Sequence, residues 1–311
     1  MTEPDVAEAA VWLSGRVNHT PVIRCEALDE LAGARIWLKA ENLQRGGSYK
    51  YRGAMRAVGR AAETGAPGVV TQSSGNHGIA VAMAASELGL PAAVVLPFGA
   101  EPAKVERIKA WGAEAIQVDD SVEGCRATAE GVRDARGYAF IDVRGDHDVI
   151  AGQGTASREL IEEVGELDAL IVPAASGCGV AGAALAARGT GITVYAAEPA
   201  ACGAMQASLL AGERVSASPG ATIADALVAR RPGGVPFELI KDVVARAIPV
   251  GENDIVRAFS LLLFRAKLLV EPAGAVGLAA ALGGTVHRDV GVVLTGGNVA
   301  RGLVERLICH G

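Results

Sequence analysis

The sequence predicts an α/β protein built from open, twisted parallel sheets that are covered by helices. Short β-rich runs alternate with helical patterns along most of the chain, as is typical of parallel strands joined by helical crossovers. The composition agrees, because 50% of the residues are hydrophobic, only 4% are aromatic and 40 are glycines. A core of small aliphatic side chains with many tight turns is expected. The 311 residues allow one large domain or two moderate ones.

Eight short aliphatic segments are predicted as strands. They are residues 36–40, 68–71, 92–96, 115–118, 139–143, 170–174, 192–197 and 290–294. Helices are predicted between them at 79–88, 102–111, 121–136 and 183–187. Pro102 suits the first turn of the second helix. Asp120, followed three residues later by Glu123, predicts a capping box at the start of the third helix.

Charge and composition argue against several classes of protein. The net charge of −6 and the lack of a Lys/Arg block give no support to nucleic-acid binding. Five scattered cysteines without C-x-x-C spacing indicate neither a disulfide framework nor a zinc site. The acidic residues 1–10 do not resemble a signal peptide. The longest apolar stretch, 169–187, is interrupted by Pro173 and glycines, so no membrane span is expected. A cytoplasmic protein is the resulting expectation.

An amine and a potential anion-binding loop follow each other closely in the chain. Lys50 ends the segment Gly-Gly-Ser-Tyr-Lys, and Ser-Ser-Gly-Asn-His-Gly follows at 73–78. A lysine amine can hold an aldehyde cofactor as a Schiff base and then move protons. The second segment lies between a predicted strand and a predicted helix, so its backbone N–H groups are expected to face an anion. Neither motif is specific alone, since most lysines are solvated and Ser-Gly-Asn often forms a simple turn.

A glycine-rich segment in the middle of the chain supports a competing hypothesis. Residues 177–182 read G-x-G-x-x-G, and Glu198 lies 21 residues after the first glycine, at the end of the next strand. This spacing is the dinucleotide-binding fingerprint, so a nicotinamide-dependent oxidoreductase is an alternative. The alternative leaves Lys50 and the 73–78 segment unexplained. Both hypotheses place a phosphate at backbone N–H groups of a helix N-terminus.

The last predicted strand runs directly into Thr295-Gly296-Gly297-Asn298. A hydroxyl at this point could hydrogen-bond a pyridine nitrogen without favouring its protonation. Such a ring is a weaker electron sink, which favours elimination over transamination. The alternative is that Thr295 caps the final helix. Because segments 73–78, 175–179 and 295–298 each follow a strand, they are expected at the strand ends where ligands bind in such folds.

Taken together, the motifs resemble the fold-type II pyridoxal-phosphate enzymes, specifically the threonine/serine dehydratase and serine racemase group. The resemblance runs over nearly the whole chain, through residues 41–44, 47–54, 73–78, 149–155, 222–225, 271–275 and 295–298. It implies a two-domain fold of the tryptophan-synthase-β type. The large domain would comprise 1–45 and 146–311, with a small α/β domain inserted at 46–145. The resemblance further implies pyridoxal 5′-phosphate in the cleft and a homodimer.

The resemblance also implies a role for each motif residue. Lys50 would hold the cofactor and then move the α-proton of the substrate. Tyr49 would pack on the cofactor ring, Asn76 would bond its 3′-oxygen, and Thr295 would meet its ring nitrogen. The cofactor phosphate would be bound by Ala175, Ser176, Gly177, Cys178 and Gly179. The substrate, including its carboxylate, would be surrounded by Ser73, Ser74, Gly75, Asn76 and His77.

Two of these residues have simpler interpretations. His77 could be a packed loop histidine without a chemical role. Cys178 is a nucleophile by type, but as a residue whose backbone faces phosphate it is not expected to react. Ser176 could add its hydroxyl to the phosphate site.

The reaction implied by the resemblance is α,β-elimination of water from a small β-hydroxy amino acid such as threonine, serine or 3-hydroxyaspartate. The products would be a keto acid and ammonia. Ser74 lies where racemases carry the base for the opposite face, so racemisation, alone or beside elimination, stays open. β-Replacement also stays open because the Ser176 loop resembles that of cysteine synthase relatives. A non-catalytic scaffold without cofactor is a further alternative.

The chain departs from the family pattern at informative places. Ala-Ser-Gly-Cys replaces the four glycines that dehydratases usually have at 175–178. Val-Arg-Gly replaces Pro-Phe-Asp at 143–145, a region that approaches the substrate side chain, so threonine itself is in doubt. Many racemase-like members bind a cation through a Glu and an Asp six residues later. Here Glu198 is matched by Ala204, and no metal is expected. Because the sequence ends at Gly311 without a regulatory domain, feedback control by isoleucine is not expected.

Overall fold

The computed structural model describes residues 3–73, 75–119, 122–284 and 287–310. The strands within these ranges are β1 (Val22–Ile23), β2 (Arg35–Lys39), β3 (Val69–Gln72), β4 (Ala92–Pro97), β5 (Glu114–Val118), β6 (Ala139–Phe140), β7 (Ala169–Pro173), β8 (Thr193–Pro199), β9 (Arg246–Val250) and β10 (Asp289–Val293). The α-helices are α1 (Val6–Leu13), α2 (Glu26–Ala32), α3 (Lys50–Glu63), α4 (Asn76–Glu87), α5 (Pro102–Ala110), α6 (Val122–Arg136), α7 (His147–Val164), α8 (Cys178–Ala186), α9 (Ala204–Ala211), α10 (Gly234–Ile240), α11 (Glu252–Phe264), α12 (Pro272–Leu282) and α13 (Arg301–His310).

The strands form two sheets. The larger has the order β1-β2-β10-β7-β8-β9, and all its neighbours are parallel except the antiparallel pair β1 and β2. The smaller has the order β5-β4-β3-β6 and is wholly parallel. Strands β3, β7 and β10 are buried along their whole length, as expected for parallel strands covered on both faces. The predicted α/β fold with helix-covered parallel sheets is confirmed. The domain bounds at 46 and 145 stay a prediction.

Three helices that carry or adjoin the site motifs are stacked through glycine contacts. A Cβ atom on Gly152 of α7 would lie 2.6 Å from the carbonyl oxygen of Arg52 in α3. On the next helix, a Cβ atom on Gly182 of α8 would lie 2.6 Å from the backbone nitrogen of Gly154 in α7. No side chain fits at such separations, so these glycines allow backbone-to-backbone packing. The stack fixes the starts of α3 and α8 relative to each other.

A buried ion network anchors the first turn of α3. The side chain of Arg52 is fully buried and bonds both oxygens of Glu41 at 2.8 Å. It also bonds both oxygens of Glu159, at 2.6 and 2.8 Å. Lys39 adds a second buried cation, 2.7 Å from Glu159. Buried charges are tolerated when they are paired and hydrogen-bonded in this way, so Arg52 holds the helix that begins at Lys50.

Strands β1 and β9 were not predicted from the sequence. β9 contains Arg246 and Pro249, which are unusual inside a sheet because proline cannot donate to the ladder. The strand lies at the edge of the larger sheet, where a missing donor is tolerated. β1 has only two residues and offers no periodicity to read. Strand β6 ends at Phe140, three residues earlier than predicted.

Two helices begin earlier than the sequence predicted. α4 begins at Asn76 and α8 at Cys178, whereas helical patterns were expected only from 79 and 183. The first turns consist of Gly, Asn, His, Cys and small apolar residues, whose weak amphipathic pattern hides the start. Asn76 and His77 are therefore helical residues rather than loop residues.

Two further sequence expectations concern helix ends. The last helix begins at Arg301, so Thr295 does not cap it, contrary to the alternative considered for that residue. The capping box expected at Asp120 lies outside the described residues. Among the described helices, none is both long enough and apolar enough to cross a membrane.

Candidate active site

A cavity of about 540 Å³ opens where β3, β7 and β10 end, and this volume is typical of small-molecule sites. Gln72, Pro173 and Thr295 mark the three strand ends in its wall. Twelve of the thirteen site residues predicted from the sequence line it: Tyr49, Lys50, Ser73, Gly75, Asn76, His77, Ala175, Ser176, Gly177, Cys178, Gly179 and Thr295. The thirteenth, Ser74, lies outside the described residues. The structure thus brings the predicted residues together, while their individual roles stay predictions.

A glycine turn places Lys50 at the start of α3. Gly46 and Gly47 have φ angles of 70° and 76°, which glycine adopts without steric cost. A Cβ atom on Gly47 would lie 2.7 Å from Oδ1 of Asn298. The turn therefore packs tightly against the segment that follows β10.

The same segment is bonded directly to the residues before Lys50. The backbone N–H of Tyr49 donates to the carbonyl oxygen of Thr295 at 3.1 Å. The hydroxyl of Ser48 donates to the same oxygen at 2.8 Å. Lys50 and Thr295 therefore face one cavity on a common hydrogen-bonded frame.

Tyr49 contacts both the lysine and the start of α8. The Lys50 amine lies 5.1 Å from the centroid of the Tyr49 ring, within the range of a cation–π contact. A Cβ atom on Gly179 would lie 2.6 Å from the Tyr49 hydroxyl oxygen. A glycine at this position is therefore required if the aromatic ring is to lie against the helix.

The first turn of α8 gives the cavity a candidate anion site. Gly177 has φ 98° and immediately precedes the helix, which begins at Cys178. The N–H groups of a first helical turn have no intrahelical acceptor and carry partial positive charge, so they bind phosphate well. The hydroxyl of Ser176 donates to the carbonyl oxygen of Val143 at 3.0 Å. The backbone of the loop is thus better placed for phosphate than this hydroxyl.

The thiol of Cys178 is not an activated nucleophile. Its sulfur lies 3.2 Å from the carbonyl oxygen of Val143. Burial raises the pKa of Cys178 to about 11, although the nearby Lys50 charge acts in the opposite direction. The thiol therefore stays protonated near neutral pH and packs as an apolar group.

His77 is buried on the first turn of α4 and lines the cavity. The pKa of His77 is lowered to about 3, mainly by burial and secondly by the positive charge of Lys50. Its Nε2 lies 3.5 Å from the carbonyl oxygen of Ile141, and its Nδ1 is buried without a partner among the described residues. His77 is therefore neutral near physiological pH.

Asn76 is held in a chain of side-chain hydrogen bonds. Its Nδ2 donates to Oε1 of Glu271 at 2.7 Å, and its Oδ1 accepts from Nδ2 of Asn298 at 2.9 Å. Arg107 donates in turn to Oδ1 of Asn298 at 2.9 Å. These bonds fix which way the amide faces the cavity.

Glu271 is a wall residue to which the sequence reasoning gave no role. Burial raises the pKa of Glu271 to about 7, and the charge of Asp225 acts in the same direction. The side chain is thus largely protonated below neutral pH. In the sequence, Glu271 stood out only as part of the 271–275 segment of the family resemblance, which implied no role for it.

The features that supported dinucleotide binding have structural roles here. Glu198 is buried and accepts backbone N–H groups from Met205 at 3.0 Å and Gln206 at 2.7 Å, at the start of α9. Gly182 provides the close contact of α8 with α7. In the part of the chain that the structure describes, no three His, Cys, Asp or Glu side chains converge as metal ligands.

The donors and acceptors of the cavity fit pyridoxal phosphate. One wall offers a primary amine, another a helix N-terminus for a phosphate, and Thr295 offers a neutral hydroxyl for a ring nitrogen. Oε1 of Gln72 and Nδ1 of His77 are buried in the described structure without a hydrogen-bond partner. Because buried polar atoms are normally satisfied, these two are available to a bound ligand.

Comparison with known proteins leads to the same cofactor. Residues 13–296 match the family described as "Pyridoxal-phosphate dependent enzyme". The chain is similar to L-threo-3-hydroxyaspartate ammonia-lyase of Saccharomyces cerevisiae, with 38% identity over 96% of this chain and 93% of the relative. It is similar to L-threonine ammonia-lyase of Thermotoga maritima, with 34% identity over 100% of this chain and 79% of the relative. The structure of maize serine racemase matches with a TM-score of 0.93 and 34% identity, over 99% of this chain and 98% of that one. This chain therefore belongs to the pyridoxal-phosphate dependent enzymes.

Proposed function

We propose that the protein is a pyridoxal-phosphate dependent ammonia-lyase that removes water from a small β-hydroxy amino acid. The observation that carries this proposal is the single cavity lined by the amine of Lys50, the N-terminus of α8 and the hydroxyl of Thr295. The similarity to ammonia-lyases of hydroxyaspartate and threonine supports the reaction class. The products are a keto acid and ammonia.

Each wall of the cavity contributes to this reaction. Pyridoxal phosphate, when bound, supplies an electron-withdrawing ring that acidifies the α-carbon of the amino acid. The Lys50 amine takes the α-proton, because the other lysine of the described wall, Lys104, lies 3.5 Å from Asp225. The first turn of α4 offers backbone N–H groups to the substrate carboxylate, which orients the Cα–H bond.

The neutral groups of the cavity favour loss of water over other outcomes. The Thr295 hydroxyl is not charged, so it does not stabilise a protonated ring nitrogen as a carboxylate would. His77 stays neutral because its pKa is about 3, so it adds no positive charge beside Lys50. Once hydroxide has left the β-carbon, the released enamine tautomerises and hydrolyses in water to the keto acid and ammonia.

Replacement of Lys50 tests the proposal. We expect Lys50→Ala to lower keto-acid formation from threo-3-hydroxyaspartate or L-serine, whichever the wild type turns over faster, by roughly a thousandfold or more, since it removes the proton-transferring group. The variant should also lose the visible absorbance of the bound cofactor. Lys109→Ala, at an exposed lysine of α5 that pairs with Glu106, is the matched control and should keep both properties. Full activity and colour in Lys50→Ala would refute the assignment.

Racemisation is the second candidate, and the match with maize serine racemase favours it. Removal of the α-proton by Lys50 is common to both reactions. Racemisation additionally needs a proton donor on the opposite face, the role considered for Ser74. β-Replacement has weaker support, because the Ser176 hydroxyl that suggested it is engaged with Val143.

The assembly and location of the protein are further parts of the proposal. A homodimer is expected from the family resemblance, and sedimentation of the purified protein would test it. A cytoplasmic location is supported by four cysteines that are free of disulfides, Cys25, Cys125, Cys178 and Cys202, as is usual in a reducing compartment.

A further inference from the structure

Arg144, Arg214 and Arg231 lie close together beside the cavity, and a fourth arginine, Arg230, lines the same cavity. Burial, followed by the charges of Arg231 and Arg144, lowers the pKa of Arg214, and only Glu238 acts against this. Among the described residues, none of the four has a carboxylate oxygen within 4.0 Å, whereas most other arginines of the chain are paired. The cluster therefore carries positive charge that the protein itself does not neutralise.

Two of the four arginines hold the surrounding backbone. Arg214 donates from Nε to the carbonyl oxygen of Pro232 at 2.9 Å. Arg231 donates to the carbonyl oxygen of Arg214, also at 2.9 Å. The other two, Arg144 and Arg230, line the cavity. Arg144 is half-buried, and its guanidinium makes only a long bond of 3.4 Å to the carbonyl oxygen of Arg231.

The other charged residues of the described cavity wall are one lysine and three acids, and two of the acids have a side-chain partner. Lys104 lies 3.5 Å from Asp225. Glu271 accepts a hydrogen bond from Asn76. The third acidic residue of the wall, after Asp225 and Glu271, is Glu123, which is exposed to solvent. Apart from the reacting amine, Arg144 and Arg230 are thus the cations of the described wall that lack an acidic partner.

The segment that carries Arg144 is fixed to the start of α8. The carbonyl oxygen of Val143 accepts from both Ser176 and Cys178. The backbone N–H of Gly233 donates to the carbonyl oxygen of Ser176 at 2.8 Å. A Cβ atom on Gly233 would lie 1.9 Å from the carbonyl oxygen of Arg144, so the two backbones are in direct contact. Because this backbone is held in place, the Arg144 side chain has less freedom to lose when it binds an anion.

We propose that Arg144, together with Arg230 on the same wall, binds the distal carboxylate of the substrate, which is therefore a dicarboxylic β-hydroxy amino acid. The inference rests on the proposed function and names the substrate class of that site. A guanidinium binds a carboxylate through two parallel hydrogen bonds. The methyl group of threonine or the hydrogen of serine leaves this partly desolvated charge unpaired, and sites of this kind reject such analogues strongly.

Binding of L-aspartate and L-asparagine to the holoenzyme tests the proposal without requiring any water to be eliminated. The two ligands have nearly the same shape and differ in the charge of the distal group. We expect calorimetry to show that the wild type binds aspartate at least about tenfold more tightly, as for one charge-assisted bidentate pair. Arg144→Gln should remove most of this preference, Arg230→Gln should reduce it, and Arg144→Lys should keep part of it.

Arg265→Gln is the matched control, because Arg265 is exposed at the end of α11, remote in sequence from the cluster and outside the cavity wall. It should bind both ligands like the wild type. Equal affinity of the wild type for aspartate and asparagine would overturn the proposal, as would an undiminished preference in Arg144→Gln.

The outcomes also separate this proposal from the proposed reaction. Keto acid from L-serine without an aspartate preference would retain the lyase and remove the role of Arg144. An aspartate preference that is lost in Arg144→Gln, in a protein that yields keto acid from neither L-serine nor threo-3-hydroxyaspartate, would retain the carboxylate site and remove the lyase.

Discussion

At the scale of single residues, three ionisable groups of the cavity wall are shifted by burial toward their neutral forms. His77 and Cys178 are neutral because burial moves their pKa values away from the neutral range. Glu271 is neutral below about pH 7 for the same reason. In the proposed reaction the Lys50 amine takes the α-proton, and Arg144 supplies positive charge for the distal carboxylate of the substrate. This distribution explains how one small cavity could combine a proton-transferring amine with a carboxylate site.

The Glu271 carboxyl gives a prediction about the pH dependence of stability. Its folded-state pKa of about 7 lies above the ordinary value of 4.5, so the folded protein holds a proton that the unfolded chain releases between these values. The free energy of unfolding should therefore fall as the pH rises from 4.5 to 7, by up to about 3 kcal/mol from this group. Urea unfolding of cofactor-free protein measures this dependence. Glu271→Gln should lose that part of the slope.

Glu238→Gln, at an exposed glutamate of α10, serves as the control and should follow the wild type. If the wild type and Glu271→Gln gave parallel curves between pH 4.5 and 7, the burial argument for Glu271 would be wrong.

The site residues that could be predicted from the sequence were those that lie in recognisable motifs. Lys50 and Asn76 lie in segments whose order along the chain is informative, and both line the cavity. The unpaired state of Arg144 depends on loops about 90 residues away, and the environment of Glu271 depends on Asn76, 195 residues away. Such contacts exist only after folding and leave no local pattern to read.

At the scale of the elements, the glycine-lined stack of α3, α7 and α8 positions the Lys50 amine and the first turn of α8, which is the proposed phosphate site. The sequence predicted most strands to within a few residues because aliphatic runs are local signals. It placed the starts of α4 and α8 too late, because the residues of their first turns line the cavity and do not show the spacing of polar and apolar residues that is typical of a helix. It also read Gly182 as part of a dinucleotide fingerprint, whereas the contact with Gly154 explains the absence of a side chain.

The helix stack gives a stability prediction. Gly182→Ala adds a methyl group 2.6 Å from the backbone nitrogen of Gly154 and the carbonyl oxygen of Ile150, and neither backbone atom can move aside easily. We expect a loss of about 3 kcal/mol or more in the free energy of unfolding. Gly131→Ala in α6, where nothing lies within 4 Å, is the control and should stabilise by about 0.5–1 kcal/mol. Equal effects of the two substitutions would contradict the packing assigned to Gly182.

At the scale of the whole molecule, the strand ends of β3 in the smaller sheet and of β7 and β10 in the larger one meet at the same cavity. The alternation of strands and helices made this α/β organisation predictable. The antiparallel β1 and the proline-containing edge strand β9 were not predictable, because their pairing is decided by neighbours in the folded sheet. The family comparison identifies the cofactor. Elimination and racemisation are distinguished by their products, which are a keto acid with ammonia in the first case and the opposite enantiomer in the second.

The most direct test of the central claim is the product that the holoenzyme forms from threo-3-hydroxyaspartate and from L-serine. We predict equal amounts of keto acid and ammonia, with faster turnover of the dicarboxylic substrate, because Lys50 removes the α-proton and the β-hydroxyl then departs. Accumulation of the opposite enantiomer without keto acid or ammonia would contradict the lyase and establish racemisation in its place.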